Sequence, residues 1–253
     1  MIDVYYPYFE REASWQELRY SLRSIEQHFK FDFRVWIVGD IPSWINPETV
    51  NVIPHTRIEG IPENTLYDAI TKLLLFIGHA DTTDQFIRMY DDIYVLADAD
   101  LVELGQFKAM YAFEKVPRRY GTWWDQLYKT LGVLRQKGYM AWNTETHLPE
   151  VFNKHRMSWI IDVYGALEKR LLTSSLYWNT FYPFSQPRLW SKSYAVQFYG
   201  TQENEFYSDN TGDIARICEG RTYLNHNAAG LNENLQRFLE EKFPNPSKFE
   251  LWK

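Results

Sequence analysis

Two apolar periods alternate along the first third of the chain. IDVYY, at Ile2–Tyr6, is a short apolar run of strand type. Behind it Leu18, Leu22 and Ile25 recur at helical spacing, and Ser14 with Glu17 has the separation of a capping box that would open this helix. FRVWIVGD is a continuous apolar run that stops at Gly39 and Asp40, the form of a strand covered on both faces. VNVIP is a third strand, the residues from Asn64 to Ala80 form a second helix, and QFIRMY is a strand that runs straight into Asp91–Asp92. This β-α-β-β-α-β order predicts an α/β fold with a largely parallel, doubly wound sheet. Ligands of such sheets bind beyond the carboxyl ends of the strands, which here are Tyr5–Tyr8, Gly39–Asp40 and Asp91–Asp92.

From Trp123 onward the pattern turns mostly helical, through WWDQLYKTLGVLRQKG and PEVFNKHRMSWIIDVYGALEKRLL to a last helix over about Leu231 to Lys242. The stretch from Tyr177 to Asp213 is aromatic, polar and irregular, as suits an acceptor-binding region or a lid. No repeat, low-complexity tract or Gly/Ser linker divides the 253 residues, so they read as one unit with a substantial core.

Composition narrows the setting. Cys218 is the single cysteine, which rules out an intrachain disulfide and fits a reducing compartment. MIDVYYPYFERE lacks the basic and long apolar regions of a secretory signal, and LLLFIGHA is too short to span a bilayer. The expectation is a soluble, cytoplasmic protein with no membrane span. A net charge of −6 argues against a protein whose affinity comes from neutralising a phosphate backbone, although Lys115, Arg118, Arg119, Lys129, Arg135 and Lys137 form a local basic region. Aromatic residues make up 17% of the chain, enough to supply flat platforms for sugars beyond those in the core.

The chemistry turns on MYDDIYVLADADL, which holds two aspartate pairs. Mg²⁺ and Mn²⁺ take one or two carboxylates together with phosphate oxygens. Asp91 and Asp92 end a buried strand, where the sheet fixes the backbone and the loop opens to a ligand. Asp98 and Asp100 precede a helical turn at LVELGQF, where aspartate caps helices and satisfies turns. The metal is therefore expected at Asp92, with Asp91 beside it.

ELRYSLRSIEQHF, VWIVGDIPSWIN, MYDDIYVL, HLPEVFNK and LNHNAAGLNENLQRFLEEKFPNPSKFE, in this order over nearly the whole chain, resemble the Stealth family of sugar-1-phosphate transferases and its relatives among GT-A glycosyltransferases. The resemblance implies a GT-A type fold: a Rossmann-like, mostly parallel sheet flanked by helices, with a mainly helical carboxy-terminal part. It would be a single transferase domain over residues 1–253, with 1–115 binding a nucleotide-sugar donor and 116–253 binding the acceptor and closing the site. It also implies a divalent cation, Mn²⁺ or Mg²⁺. Two departures bear on the reaction. Asn179 stands in TSSLYWN where the Stealth pattern has an arginine, a cation that would steady a transferred phosphoryl group. His226 stands where that pattern has an aspartate, which is similar to GT-A enzymes in which a late histidine completes the metal site.

Individual roles follow as expectations. Asp92 and His226 would hold the metal, with an ordinary loop histidine as the alternative for His226. Arg19 and Arg23 are four apart on one helix, where like charges repel, so an anion is expected beside them, either a donor phosphate or a tertiary carboxylate. Lys72 and Lys248 are further diphosphate candidates, with simple solvation as the alternative, and Asp91 and Asn225 complete the donor-binding set. His147 precedes Pro149 in a turn expected to open the next helix. The resemblance gives it a place facing the reacting sugar or taking the acceptor proton, a buried capping histidine being the alternative. Asp125 and Asp209 are other candidate bases.

The leading reading is a metal-dependent glycosyltransferase that moves a sugar from a nucleotide-sugar donor to a glycan or other hydroxyl acceptor. A Stealth-type sugar-1-phosphate transferase forming a phosphodiester and a non-catalytic nucleotide-sugar-binding module are the alternatives. Glycosylation of a modified nucleic-acid base is a minor variant that rests on the basic region alone.

Overall fold

A computed structural model describes residues 1–57, 65–200 and 207–251. β1 (Ile2–Tyr8), β2 (Phe33–Gly39), β3 (Val50–Pro54) and β4 (Gln85–Arg88) lie parallel in one sheet in the order β3-β2-β1-β4, and Glu150–Asn153 adds an antiparallel fifth strand beside β4. The register sets Tyr8 opposite Gly39 and Gly39 opposite Pro54, so the carboxyl ends of these strands gather at one edge. Each strand divides its side chains between two faces, as a period of two requires. Val4, Tyr6, Val35 and Ile37 enter one core with α1 (Glu17–His28), and Tyr5, Trp36 and Val38 enter another with α2 (Thr65–Gly78). Burial on both faces is why these strands read as unbroken apolar runs.

β5 (Ile93–Val95) belongs to a second, three-stranded sheet. It pairs antiparallel with Tyr223–His226, which pairs in parallel with Ala195–Phe198. Asn225 lies opposite Ile93, so one step further along the same register His226 comes level with Asp92. The short α3 (Leu101–Leu104) follows β5. α4 (Thr122–Gln136) and the helices Lys154–Tyr164 and Thr173–Phe181 then pack with α2 around Leu127, Leu131 and Phe152.

Several sequence expectations are corrected in detail. Glu17 makes the capping contact by accepting from the amides of Ser14 and Trp15 at 2.9 and 2.8 Å, but the helix starts at Glu17 itself. The second helix runs over Thr65–Gly78, and the expected start at Asn64 lies outside the described residues. Residues Glu150–Asn153 were expected to be helical; they are the antiparallel strand, and the helix begins only at Lys154, capped by the Asn153 side chain, which accepts from the amide of Arg156 at 3.0 Å. The irregular region contains the buried strand Ala195–Phe198.

Two local arrangements matter below. Gly39 has φ +127°, and a Cβ there would lie 2.0 Å from the carbonyl oxygen of Tyr8 and 2.8 Å from Cε of Lys72. The position admits no side chain. The closing FPNPSKFE segment is latched to IPSWIN, with Asn46 N donating to Phe249 O and Leu251 N donating to Trp44 O, both at 2.8 Å.

Candidate active site

Beyond the strand ends the chain leaves two cavities that share a wall. The larger, about 790 Å³, is lined by Arg88, His147, Glu145 and the rings of Trp123 and Trp124, among others. The smaller, about 220 Å³, is lined by Arg57, Asp68, Lys72, Glu17 and Asp91. Tyr90, Asp92, His226 and Asn227 face both. The aspartate pair that ends the QFIRMY run and the late histidine thus meet at the seam.

The two aspartates differ electrostatically. Burial, then the adjacent Asp92 charge and Glu17, push the Asp91 carboxyl up to about 8. Burial also works against charge on Asp92, but the imidazole of His147, with Nε2 2.7 Å from Oδ1, outweighs it and holds this carboxyl below its ordinary value. The same contact overcomes burial to raise the pKa of His147. The two neighbouring carboxyls are thus pulled in opposite directions, a separation that active sites exploit.

His147 sits on the seam by way of an unusual backbone. Its φ is +52°, a left-handed conformation that costs a side-chain-bearing residue about 1 kcal/mol. The loop is fixed in that state by Asn225, whose Nδ2 donates to His147 O at 2.7 Å, and by Gln197, whose Nε2 donates to Thr146 O at 3.2 Å. The His147 ring stacks on Tyr90 with centroids 5.1 Å apart. The expected turn is present, and it opens the strand at Glu150 rather than a helix.

His226 is buried, and burial lowers its pKa, so the ring is neutral. Its Nδ1 lies 3.1 Å from Asn227 O, and since a carbonyl only accepts, Nδ1 carries the hydrogen. Nε2 is then the lone-pair nitrogen and accepts from the Tyr94 hydroxyl at 2.9 Å. Nε2 is the nitrogen a metal would take, its other nitrogen being anchored to a carbonyl, and ligation would displace the Tyr94 hydroxyl from it. Among the described residues no group of three or more His, Cys, Asp or Glu side chains is placed to hold an ion unaided. Asp92 and His226 are the candidate ligands at the seam, and an ion there would need phosphate oxygens or water to complete its shell.

In the smaller cavity Lys72 is buried. Its Nζ lies 2.7 Å from Asp68 and donates to Tyr8 O at 2.8 Å. Asp68 also meets Arg57 at 3.1 Å and His55 at 3.2 Å, so three basic side chains converge on one buried carboxylate.

Six expected site residues line neither cavity. The anion beside Arg19 and Arg23 is Glu250: Arg23 grips it through Nε at 2.7 Å and Nη2 at 2.8 Å, and Arg19 approaches at 3.3 Å. Neither arginine lines either cavity. Lys248 lies on the outside with its ammonium over the rings of Phe33 and Phe249. Asp125 is exposed on the first turn of α4, although its neighbours Trp124 and Gln126 line the larger cavity. Asp209 is exposed and accepts from the backbone and hydroxyl of Thr211, both at 2.9 Å, contacts that lower its pKa. Asn225 acts on the site through the backbone of His147.

The sequence reading missed a charged cluster in the wall of the larger cavity. Arg88 meets Glu150 at 3.0 Å and donates to the hydroxyls of Thr173, at 3.0 Å, and Ser174. Glu150 also accepts from Trp178 Nε1 at 2.8 Å. Glu145 accepts from the amide and hydroxyl of Ser175 at 2.9 and 2.8 Å, and burial raises its pKa. Arginine in the apolar run QFIRMY was the available signal, because a buried cation demands a partner.

No family model matches the chain, and no curated protein matches it. Solved structures do. The chain is similar to the galactosyltransferase LgtC, solved in complex with donor and acceptor sugar analogues, at TM-score 0.52 and 12% identity over 98% of each chain. It is similar also to the bifunctional glycosyltransferase WbbM, solved in its apo form, at TM-score 0.53 and 14% identity, over 97% of this chain and 50% of that one. At these identities the likeness establishes the fold, and that fold is the GT-A type expected from the sequence.

Proposed function

We propose that this protein is a glycosyltransferase that moves a sugar from a nucleotide-sugar donor to a hydroxyl acceptor. The observation that carries the reading is the Asp91–Asp92 strand end, set on a GT-A fold at the seam of two cavities and level with His226. The two cavities meet at this seam, and together they offer the space for a donor and an acceptor on either side of Asp92 and His226.

Asp92 and His226 are the residues that would hold Mn²⁺ or Mg²⁺, and such an ion would stabilise negative charge on the departing nucleoside diphosphate. For its part, Asp92 orients His147 through Nε2 and raises its basicity. Among the described residues Nδ1 of His147 takes no hydrogen bond, which suits it to accept the proton of an acceptor hydroxyl. In the net reaction the acceptor oxygen bonds to the anomeric carbon, the bond from that carbon to the phosphate oxygen breaks, and the nucleoside diphosphate leaves with the electron pair. Glu145 offers a carboxyl to sugar hydroxyls in the same cavity.

Transfer of an intact sugar 1-phosphate is the weaker reading. Asn179, at the position where the Stealth resemblance implies an arginine, is buried, and its amide is consumed by Trp142 N and O and by Ser175 O. It supplies no cation to a phosphoryl group.

The test is a thermal-shift screen of nucleotide sugars with and without Mn²⁺, followed by product analysis. A donor should raise the melting temperature chiefly when the ion is present, and turnover should release a nucleoside diphosphate. Release of a nucleoside monophosphate would instead establish the sugar-1-phosphate reading, and binding without turnover would indicate a non-catalytic module.

A further inference from the structure

Beside the larger cavity runs a groove of about 780 Å³, and Met110 and Tyr111 line both. Its floor is built by two small sheets, in which Tyr111 pairs with Asn143 and Leu189 pairs with Ala109. Lys115, Arg119 and Lys192 line the groove together with Trp142 and Trp190. Among the described residues no aspartate or glutamate lines it, and these three cations form no ion pair with a carboxylate. In a chain of net charge −6 this is a local reversal of sign next to the transfer site.

Two of these cations sit on anchored segments. Tyr128 accepts from Arg119 N at 2.7 Å and donates to Pro117 O, which ties the Arg119 segment to α4. Lys192 donates to Tyr207 O at 2.7 Å, a contact that fixes its position and brings no opposing charge.

The basic region seen in the sequence is meanwhile dispersed. Arg135 meets Glu114 at 3.5 Å, Lys129 donates to Lys169 O, and Lys137 lies over the ring of Tyr164. Only Lys115 and Arg119 of that region reach the groove, and Lys192 joins them from far along the chain. A few separated cations beside the half-buried indole of Trp142 match a sparsely charged sugar chain, because a ring packs on a sugar face while each cation takes one anion. A nucleic-acid strand, with a phosphate at every unit, would need a continuous basic track.

We infer that the groove binds the acceptor beyond its reacting hydroxyl, and that this acceptor is an anionic oligosaccharide. The inference rests on the glycosyltransferase reading, so the experiment has two arms. The first measures binding of nucleoside diphosphates with Mn²⁺; failure of all of them would overturn the glycosyltransferase reading itself. The second measures binding of an oligogalacturonide, a neutral oligogalactoside of equal length and an oligothymidylate to the wild type and to the Lys115→Gln/Arg119→Gln/Lys192→Gln variant. These side chains lie at the surface, so the variant should fold.

The oligogalacturonide is expected to bind about tenfold more tightly than the neutral chain at low salt, and to lose that margin both at high salt and in the variant. Nucleoside diphosphate affinity should not change in the variant. Equal binding of charged and neutral chains, or a margin that survives the substitutions, would overturn the inference. Tighter binding of the oligothymidylate would overturn it in favour of a nucleic-acid acceptor.

Discussion

Asp91–Asp92 and Asp98–Asp100 are spelled almost alike and stand in one short stretch, yet the fold gives them opposite work. The first pair is enclosed where the parallel sheet ends, faces the cavities and has its two carboxyls pulled in opposite directions. Of the second pair, Asp98 lies at the surface with His28 at 3.0 Å and Lys30 at 3.1 Å, and Asp100 caps α3 by accepting from Glu103 N at 2.9 Å. What separates them is where the chain runs past each strand: Asp91 and Asp92 form the turn between β4 and β5, which opens onto the cavities, whereas Asp98 and Asp100 follow β5 at the surface.

The sharpest way to break this contrast is Asp92→Ala. It should lower kcat/KM about a thousandfold and abolish the joint thermal shift from donor and Mn²⁺, measured by turnover and by melting. His147→Gln should lower kcat about a hundredfold and leave nucleoside diphosphate affinity near the wild-type value, as calorimetry would show.

The latch carboxylate lies between the extremes. Glu250→Gln should cost about 2 kcal/mol at neutral pH, because it leaves the Arg23 guanidinium without its anion. Burial opposes the charge on Glu250, but Arg23 outweighs it and lowers the pKa. A depressed carboxyl contributes its stability above its unfolded value and loses it as pH falls through the folded one. The gap between wild type and variant in denaturant melts should therefore close below about pH 4. Asp100→Ala should cost about 1 kcal/mol through the lost cap, with activity intact. Asp98→Ala should move the melting temperature by no more than about 2 °C and leave turnover unchanged. A large loss of activity in either of these last two would erase the distinction between the pairs.

The parallel half of the fold was legible because its strands are buried on both faces and its helices carry clear periodicity. The strand Glu150–Asn153 was not, since it is short, abuts a helix without a break and owes its state to pairing with β4 from far along the chain. The Asp91–Asp92 pair stood out as a candidate from its place after an apolar run, whereas His226 and His147 became candidates chiefly through the family resemblance. The cluster of Arg88, Glu145 and Glu150 could not be found, because separate segments assemble it and only the fold supplies its logic. Arg19 and Arg23 advertised a need for an anion, and nothing local distinguishes a ligand phosphate from the carboxylate of Glu250.

Gly39 shows how backbone shape can set an ionic balance. The room that a methyl group would need there is taken by the Tyr8 carbonyl and by the stem of Lys72, and that same carbonyl receives the lysine's ammonium. Any larger residue must push one of them aside and so draw Lys72 away from Asp68, leaving that carboxylate to His55 and Arg57. A change that adds no charge would thus redistribute the charges lining the smaller cavity, which makes position 39 an electrostatic determinant although it carries no ionisable group.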